Sequence, residues 1–420
     1  MTEILFLTLF GLLLIGTPVA FALGLASIAA LYFGSSIPLI IMPQKLFNGL
    51  NSFPFLAIPL FLLAGNIMAA AHISERLVKL AGLLLGRFPG GLAQMSTGAS
   101  AFFGAISGSA PATASAIGSI LIPSMVKRGY PAPYAGAVIA SSGALGLIIP
   151  PSLTMVVYGT IADVSIGDLF IAGIIPGLVI ALVLGLVNYM MARKNKLERE
   201  PQPDKSETAK ILGESGLALI MPIIILGGIY GGIFTPTESA AVACLYGLIV
   251  GLFIYRSISL KDLGPIFMQT AVSSAVVMYL MGTANAFSFI ITAEQIPQAV
   301  AAQILNISSE PMLIMLLVLV LLLIAGTFLD NVAALVLLVP TLGTLIAAIG
   351  IDPIYFGVFT VIALAVGNFT PPVGLNLFIA AGLSGSSIEA ISKSALPYIA
   401  AYIAVLILII LFPAAVMLFV

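Results

Sequence analysis

Helix-breaking residues recur at one fixed distance along this chain. Gly129 is matched by Gly350, Tyr134 by Tyr355, Gly136 by Gly357, Gly146 by Gly367, Pro150-Pro151 by Pro371-Pro372 and Pro176 by Pro397, each pair 221 residues apart. Identity count alone carries little weight, because an alanine- and glycine-rich chain matches itself by chance. What matters is that the matches fall on Gly and Pro. They imply two related halves interrupted at the same place, which in a membrane protein points to a solute site near the bilayer midplane.

The solvent for such a chain is lipid. Of its 420 residues 61% are apolar and only 7% charged, Trp is absent, and the mean hydropathy is +1.22. Many apolar runs approach or exceed the roughly 20 residues that cross a bilayer core. Every spanning backbone must then be helical or lie buried in protein. The fold class expected is an all-α polytopic membrane protein of two inverted repeats, each with five spans and a re-entrant helical hairpin. The first run, from Ile4, lacks a basic stretch before it and a small-residue cleavage site after it, so it reads as a retained span. One cysteine, Cys244, excludes an intramolecular disulfide and leaves the redox compartment open. A net charge of −1 with no basic tract gives no reason to expect a nucleic-acid partner.

One segment is clearly polar, residues 193–215, and by the Lys/Arg bias it belongs in the cytoplasm. Outward from it the topology follows. Stretches 3–16 and 19–35 meet at Gly16-Thr17-Pro18, and 217–234 and 237–255 meet at a second Thr-Pro break, Thr235-Pro236. Span 53–71 leads into an amphipathic stretch, 73–89. The apolar piece 90–126 has basic residues beyond both ends and none inside, which predicts a re-entrant hairpin with its tip near Ser107-Gly108-Ser109. Two ordinary short spans would give the same sidedness. The mirror piece lies between Glu294 and Asp352 and has no Lys or Arg at its flanks, as a hairpin entering from the opposite side would. This arrangement puts fourteen of the fifteen Lys and Arg residues on the cytoplasmic side, Lys45 excepted, and both termini in the periplasm.

Four breaks can carry chemistry: the tips Ser107–Ser109 and Gly326–Asn331, and the interrupted spans Ser141–Pro151 and Gly367–Pro372. Gly and Pro release backbone carbonyls, Ser and Thr add hydroxyls, and such hard oxygens suit Na⁺, while half-helix N-termini suit an anionic group. Pairing each tip with the broken span of its own half predicts two cation sites, with Ser109 and Gly143 as candidate ligands in the first. Ser109 and Asp330 are equivalent at the 221 spacing. Asp330, a lone carboxylate in the apolar run 312–349, is either a cation ligand or a cap for the helix that follows. Ser142, Thr327, Asn368 and Asn376 are candidate solute contacts, the two Asn also serving as possible helix cross-links. Ser96, Ser100, Ser115 and Ser119 read as small-residue packing, and Glu238 as a cap after the second Thr-Pro break. An intramembrane hydrolase would need a nucleophile with a base, or paired aspartates, and Ser107-Gly108-Ser109 has only distant His72. No phosphate loop, Cys/His metal set or dinucleotide fingerprint occurs. No enzyme activity, organic cofactor or transition metal is expected.

Several motifs in order resemble the large membrane subunit of TRAP transporters, the tripartite ATP-independent periplasmic type. They are Gly227 to Glu238, Ala105 to Ala110, Gly146 to Pro151, Phe328-Leu329-Asp330 and Gly367 to Pro372, and the resemblance covers essentially the whole chain. It implies Na⁺-coupled import of organic anions such as C4-dicarboxylates or sialic acid across the bacterial inner membrane. Na⁺ is the coupling ion. It also implies a separate small four-helix membrane subunit and a periplasmic binding protein that delivers the solute and largely sets specificity. The family's sodium sites fall on Ser107, Gly146, Asp330, Gly367 and Thr370, and its solute contacts near Ser109, Thr154 and Asn368. An elevator mechanism is implied as well. Residues 1–89 and 217–299 would form a scaffold with arm helices, and 90–165 and 300–385 the moving domain. A span with the cytoplasmic linker (166–216) and a C-terminal span (386–420) would complete the chain. The rival readings are a binding-protein-independent anion/Na⁺ symporter and a membrane assembly subunit without transport.

Overall fold

The computed structural model describes residues 1–201, 203–307 and 310–420, and its regular elements there are all helical. The first half opens with α1 (Thr2–Leu14), α2 (Val19–Gly34), α3 (Ile41–Leu50), α4 (Ala57–Ala70) and α5 (Ile73–Leu85). Then come α6 (Gly91–Ser107) and α7 (Ala110–Lys127), the bent series α8 (Ala132–Gly143), α9 (Leu145–Ile148) and α10 (Leu153–Ala162), and the long α11 (Ile166–Lys194). The second half runs α12 (Lys205–Tyr230), α13 (Pro236–Ile249), α14 (Leu260–Ala293) and α15 (Ile296–Ile307). It continues with α16 (Pro311–Phe328), α17 (Asn331–Ala348), α18 (Pro353–Gly367), α19 (Leu375–Ser384) and α20 (Ile388–Leu411).

The 221-residue spacing governs these boundaries. Helices α7 and α17 start 221 residues apart, as do α8 and α18, and the pairs α5/α15, α6/α16, α10/α19 and α11/α20 keep that spacing to within two residues. The exception is informative. Helix α14 is one continuous 34-residue element where the first half has α3, a 3₁₀ turn at Phe53–Leu56 and α4. Pro54 sits in that turn, and its counterpart Ala275 leaves the helical hydrogen bonds of α14 intact.

Eight helices among the described residues are long and apolar enough to cross a membrane, or nine if α8–α9 and α10, bent by 43°, count as one span. Helix length does not reproduce the expected five spans plus a hairpin per half. Helices α1 and α2 are only 13 and 16 residues long, whereas both limbs α16 and α17 pass the test with 18 each. The polar segment also differs from its sequence reading. Only residues 195–204 lie between helices, because the Asp204 carboxylate accepts the Glu207 N–H at 2.7 Å and starts α12 inside the charged stretch. Glu238 does cap α13: Thr235 and Glu238 form a reciprocal capping box.

Helices α1 to α4 pack with α12 to α14, while α6 to α11 pack with α16 to α20, and α5 and α15 lie between the groups. Buried polar side chains knit the second group together. Asn188 on α11, with no exposed surface, donates to the Ala93 carbonyl and to Thr97 Oγ1 of α6 at 3.0 and 2.9 Å, and accepts the Tyr398 hydroxyl of α20 at 2.6 Å. Tyr402 donates to the Ser141 carbonyl and Asn376 to the Ala140 carbonyl, so α20 and α19 are both tied to α8. In lipid there is no solvent to replace such a partner. Tyr398→Phe, which strands the Asn188 carbonyl, is expected to cost about 1–2 kcal/mol and lower the thermal midpoint in detergent. Leu396→Ala, at a position 60% exposed, should leave it unchanged.

Candidate solute and cation site

Each hairpin tip closes on the interrupted helix of its own half through a backbone hydrogen bond and a close glycine contact. At the first tip the chain turns at Gly108, whose φ of +60° a side chain would oppose. The Gly108 carbonyl accepts the Leu153 N–H at 3.3 Å, joining the tip to the start of α10. One turn earlier Gly104 lies against Gly146, close enough that a Cβ on Gly104 would sit 2.8 Å from the Gly146 Cα. At the second tip the Thr327 carbonyl accepts the Val373 N–H at 3.3 Å, and Gly326 faces Gly367 so tightly that a Cβ on Gly367 would collide with the Gly326 carbonyl. The Pro150–Pro151 and Pro371–Pro372 peptide bonds that follow the two breaks are both cis.

Around the first tip, oxygens converge. Ser107 Oγ and Thr113 Oγ1 are 3.0 Å apart, and the Ser109 carbonyl accepts from both, at 3.4 and 2.8 Å. Gly146 is the fourth member, since a Cβ there would lie 2.7 Å from that same carbonyl. Ser107, Ser109 and Gly146 are thus brought together, while Gly143 packs a turn away against Ala114 of α7. Thr113 is the functional candidate that sequence reading missed. It is completely buried and stands four residues after Ser109. Its counterpart 221 residues on is Ala334, so a search for matched positions passes over it.

The second tip is built differently. Asp330 is exposed and caps α17, its Oδ1 accepting the Val332 N–H at 2.9 Å. Capping, one of its two expected roles, is therefore real. Gly367 and Thr370 lie together, the Thr370 N–H donating to the Gly367 carbonyl at 3.2 Å and its hydroxyl to the Val366 carbonyl at 2.7 Å. The Asn368 side-chain amide N–H groups are buried without a partner, and the Asn368 carbonyl accepts the Asn376 N–H at 2.9 Å. Thr327 spends its hydroxyl on the Ile324 carbonyl.

A cavity of about 610 Å³ reaches the first tip and is lined there by Ser107 and Ser109. Ser115 and Ser119 of α7 also line it and are exposed, so they do not serve as packing residues, whereas fully buried Ser96 and Ser100 do. Ala112, Ser115, Ala116 and Ser119, which lie three, six, seven and ten residues beyond Ser109, share one face of α7, and that face looks into the cavity. Of the other expected solute contacts, Ser142, Thr154, Asn368 and Asn376 are buried and do not line it. Ser142 instead donates to the Val138 carbonyl of its own helix.

Paired hairpins docked on interrupted helices, within a polytopic all-helical chain, define a membrane transporter of the broken-helix class. Comparison with known proteins makes this specific. Residues 6–415 match the family model of the "Tripartite ATP-independent periplasmic transporter, DctM component". The isethionate TRAP transporter permease protein DctMQ of Oleidesulfovibrio alaskensis is 44% identical over 97% of this chain, which spans 64% of that protein's length. The C4-dicarboxylate large permease DctM of Rhodobacter capsulatus is 35% identical, covering 98% of this chain and 97% of its own. The sialic acid large permease SiaM of Vibrio cholerae is 37% identical over 96% and 94%. In fold, the crystal structure of the YdaH transporter of Alcanivorax borkumensis superposes with a TM-score of 0.68 at 16% identity, covering 98% of each chain. The chain belongs to the DctM component family of TRAP transporters. It is a transporter permease, as these relatives are, and not an enzyme.

The glycine contacts make a graded test. Gly367→Ala should prevent the second tip from docking and abolish transport, and Gly104→Ala should impair it. Gly382→Ala, which meets nothing within 4 Å, should behave as the parent. Uptake per amount of protein extracted from the membrane is the measurement.

Proposed function

We propose that this chain is the large permease of a Na⁺-driven importer of organic anions in the bacterial inner membrane. A small four-helix membrane subunit and a periplasmic binding protein would be its partners. The observation that carries this reading is the docking of each tip on its own broken helix, which at the first tip gathers oxygen atoms where a hard cation could sit. The first cation site would use Ser107, Ser109 and Gly146 with Thr113, Gly143 joining only if the break shifts by a turn, and the second Asp330, Gly367 and Thr370. Solute contacts would include Ser109, which lines the cavity, and in another state Ser142, Thr154, Thr327, Asn368 and Asn376, which do not line it here. The solute class is supported by the relatives, named for C4-dicarboxylate, sialic acid and isethionate transport. All three solutes present a small oxyanion. A small-subunit partner is supported by the DctMQ relative, which is considerably longer than this chain.

An elevator movement would use this packing. The scaffold would be 1–89 and 217–299 and the moving domain the hairpins and broken spans, 90–165 and 300–385, a division that the two helix groups support apart from α5 and α15. Segments 166–216 and 386–420 pack with the proposed moving domain through α11 and α20. Under this reading the halves insert in opposite senses, with the linker in the cytoplasm and both termini in the periplasm. Na⁺ bound at both tips would order the solute site before the domain moves, and would shift populations only by its differential affinity for the two states.

Because Asp330 caps α17, Asp330→Ala confounds charge with capping, a loss of about 1 kcal/mol. Asp330→Asn keeps an acceptor for the Val332 N–H and removes only the charge. In vesicles carrying the complete complex, it should abolish sodium-stimulated uptake while leaving assembly with the partner subunit intact. Parent-level uptake by the Asn variant would remove Asp330 from the coupling mechanism.

A further inference from the structure

The cavity at the first tip has two walls of different origin. Hairpin α6–α7 supplies Ser109, Ser115 and Ser119, while the facing wall comes from α4 and α14 and presents Asn66, Gln269 and Ser273. A second cavity, of about 280 Å³, adjoins the other hairpin. There Val336 and Pro340 of α17 face Asn48 and Ser52, with Asn285 and Ser288 of α14 alongside.

The two cavities are one construction used twice. Asn48 and Gln269, Ser52 and Ser273, Ser115 and Val336, and Ser119 and Pro340 are each 221 residues apart. An amide and a hydroxyl therefore face the second limb of each hairpin across open space. Helix α14 serves both cavities, with Gln269 and Asn285 sixteen residues apart along it. At 1.5 Å per residue this is about 24 Å, most of the thickness of a bilayer core. Gln269, Asn48 and Asn285 are exposed, and among the described residues their side chains have no hydrogen-bond partner. Asn66, which lines the first cavity, donates its amide N–H to Thr270 Oγ1 at 2.8 Å. Unpartnered amides at membrane depth are costly unless water or a ligand meets them.

The cavities also differ in state. The first reaches Ser107 and Ser109 at its tip, while the second is bounded by Thr160 and Ile161 of α10 and does not include its tip.

Resting on the transport reading above, we propose that Gln269 and Ser273 with Asn66, and Asn48 and Asn285 with Ser52 and Ser288, form two solute subsites on the proposed scaffold. Each hydrogen-bonds the carboxylate, sulfonate or hydroxyl oxygens of the organic anion when the tip beside it opens. The first subsite serves the state seen here and the second serves the opposite one. Selectivity would then be read twice, once by the moving domain and once by the stationary wall.

Cysteine protection tests this independently of transport. In a Cys244→Ala background, Gln269→Cys is reacted with an anionic sulfonate thiol reagent, and Glu207→Cys in the exposed first turn of α12 serves as control. Succinate, N-acetylneuraminate and isethionate are the probes, each with sodium. At about ten times its half-maximal concentration, one of these acids should slow modification of Gln269→Cys about tenfold and leave Glu207→Cys unaffected. Adding Ser273→Ala should raise the protecting acid's half-maximal concentration about tenfold, the size expected for one hydrogen bond to a charged group. Occlusion by domain movement alone would leave that concentration unchanged and overturn the subsite, as would lack of protection by all three acids. Sodium-driven uptake by the parent complex is measured in parallel. Uptake without protection sinks the subsite and spares the transport reading, and protection without uptake does the reverse.

Discussion

A backbone carbonyl or N–H released from its helix inside a bilayer has to find a partner within the protein, and that requirement organises this molecule. Both tips meet it in the same way, by bringing a glycine of the hairpin against a glycine of the broken helix. Gly104 meets Gly146 and Gly326 meets Gly367, close enough for the Leu153 N–H to reach Gly108 and the Val373 N–H to reach Thr327. Side chains at these positions would hold the backbones apart. The released groups would then be unpaired, at about 1–3 kcal/mol each by protein measurements. The proposed cation sites presuppose that approach.

The halves share this backbone but not its chemistry. A neutral Ser109 hydroxyl caps α7 where a carboxylate, Asp330, caps α17. Thr113 joins the first oxygen cluster, and its counterpart Ala334 contributes nothing polar to the second. The expected pair of equivalent cation sites is therefore equivalent in backbone only. Under the proposed coupling, the first site draws on hydroxyls and carbonyls, and the second adds a full negative charge. Two such sites would bind Na⁺ with different strength and different dependence on the solute.

The parts of this arrangement that the sequence made legible are those written in Gly and Pro. Gly108, Gly146, Gly326 and Gly367 can be found without a structure as glycines set in apolar runs near Ser, Thr or Pro, although only Gly108 turns with a positive φ. The Thr235–Glu238 capping box was legible for the same reason, being a local pattern. Faces were not legible. Ser96 and Ser119 look alike in sequence, yet one is buried and the other opens on a cavity, a difference made by helices far away in the chain. Thr113 escaped because duplication was the guide and the halves differ there. The continuity of α14 depends on the absence of a proline at position 275, a negative signal that only comparison with Pro54 reveals.

The chemistry of the cavity at the first tip limits what it could do to an anion. Among the described residues that line it there is no Lys or Arg, and the titratable ones are His72 and Glu75, which lie 3.3 Å apart. A guanidinium or ammonium there would give the strongest hold on a carboxylate. A solute that must leave again gains nothing from being held too tightly, since conduction needs binding favourable enough to enter and weak enough to exit. Hydroxyls and amides meet both demands, donating several modest hydrogen bonds that water can replace one at a time. Such donors follow oxyanion geometry loosely, so the same frame could accept carboxylates or a sulfonate. Within the proposed reading, the driving force for accumulation would then come from the cation sites at the tips, where Asp330 supplies a carboxylate.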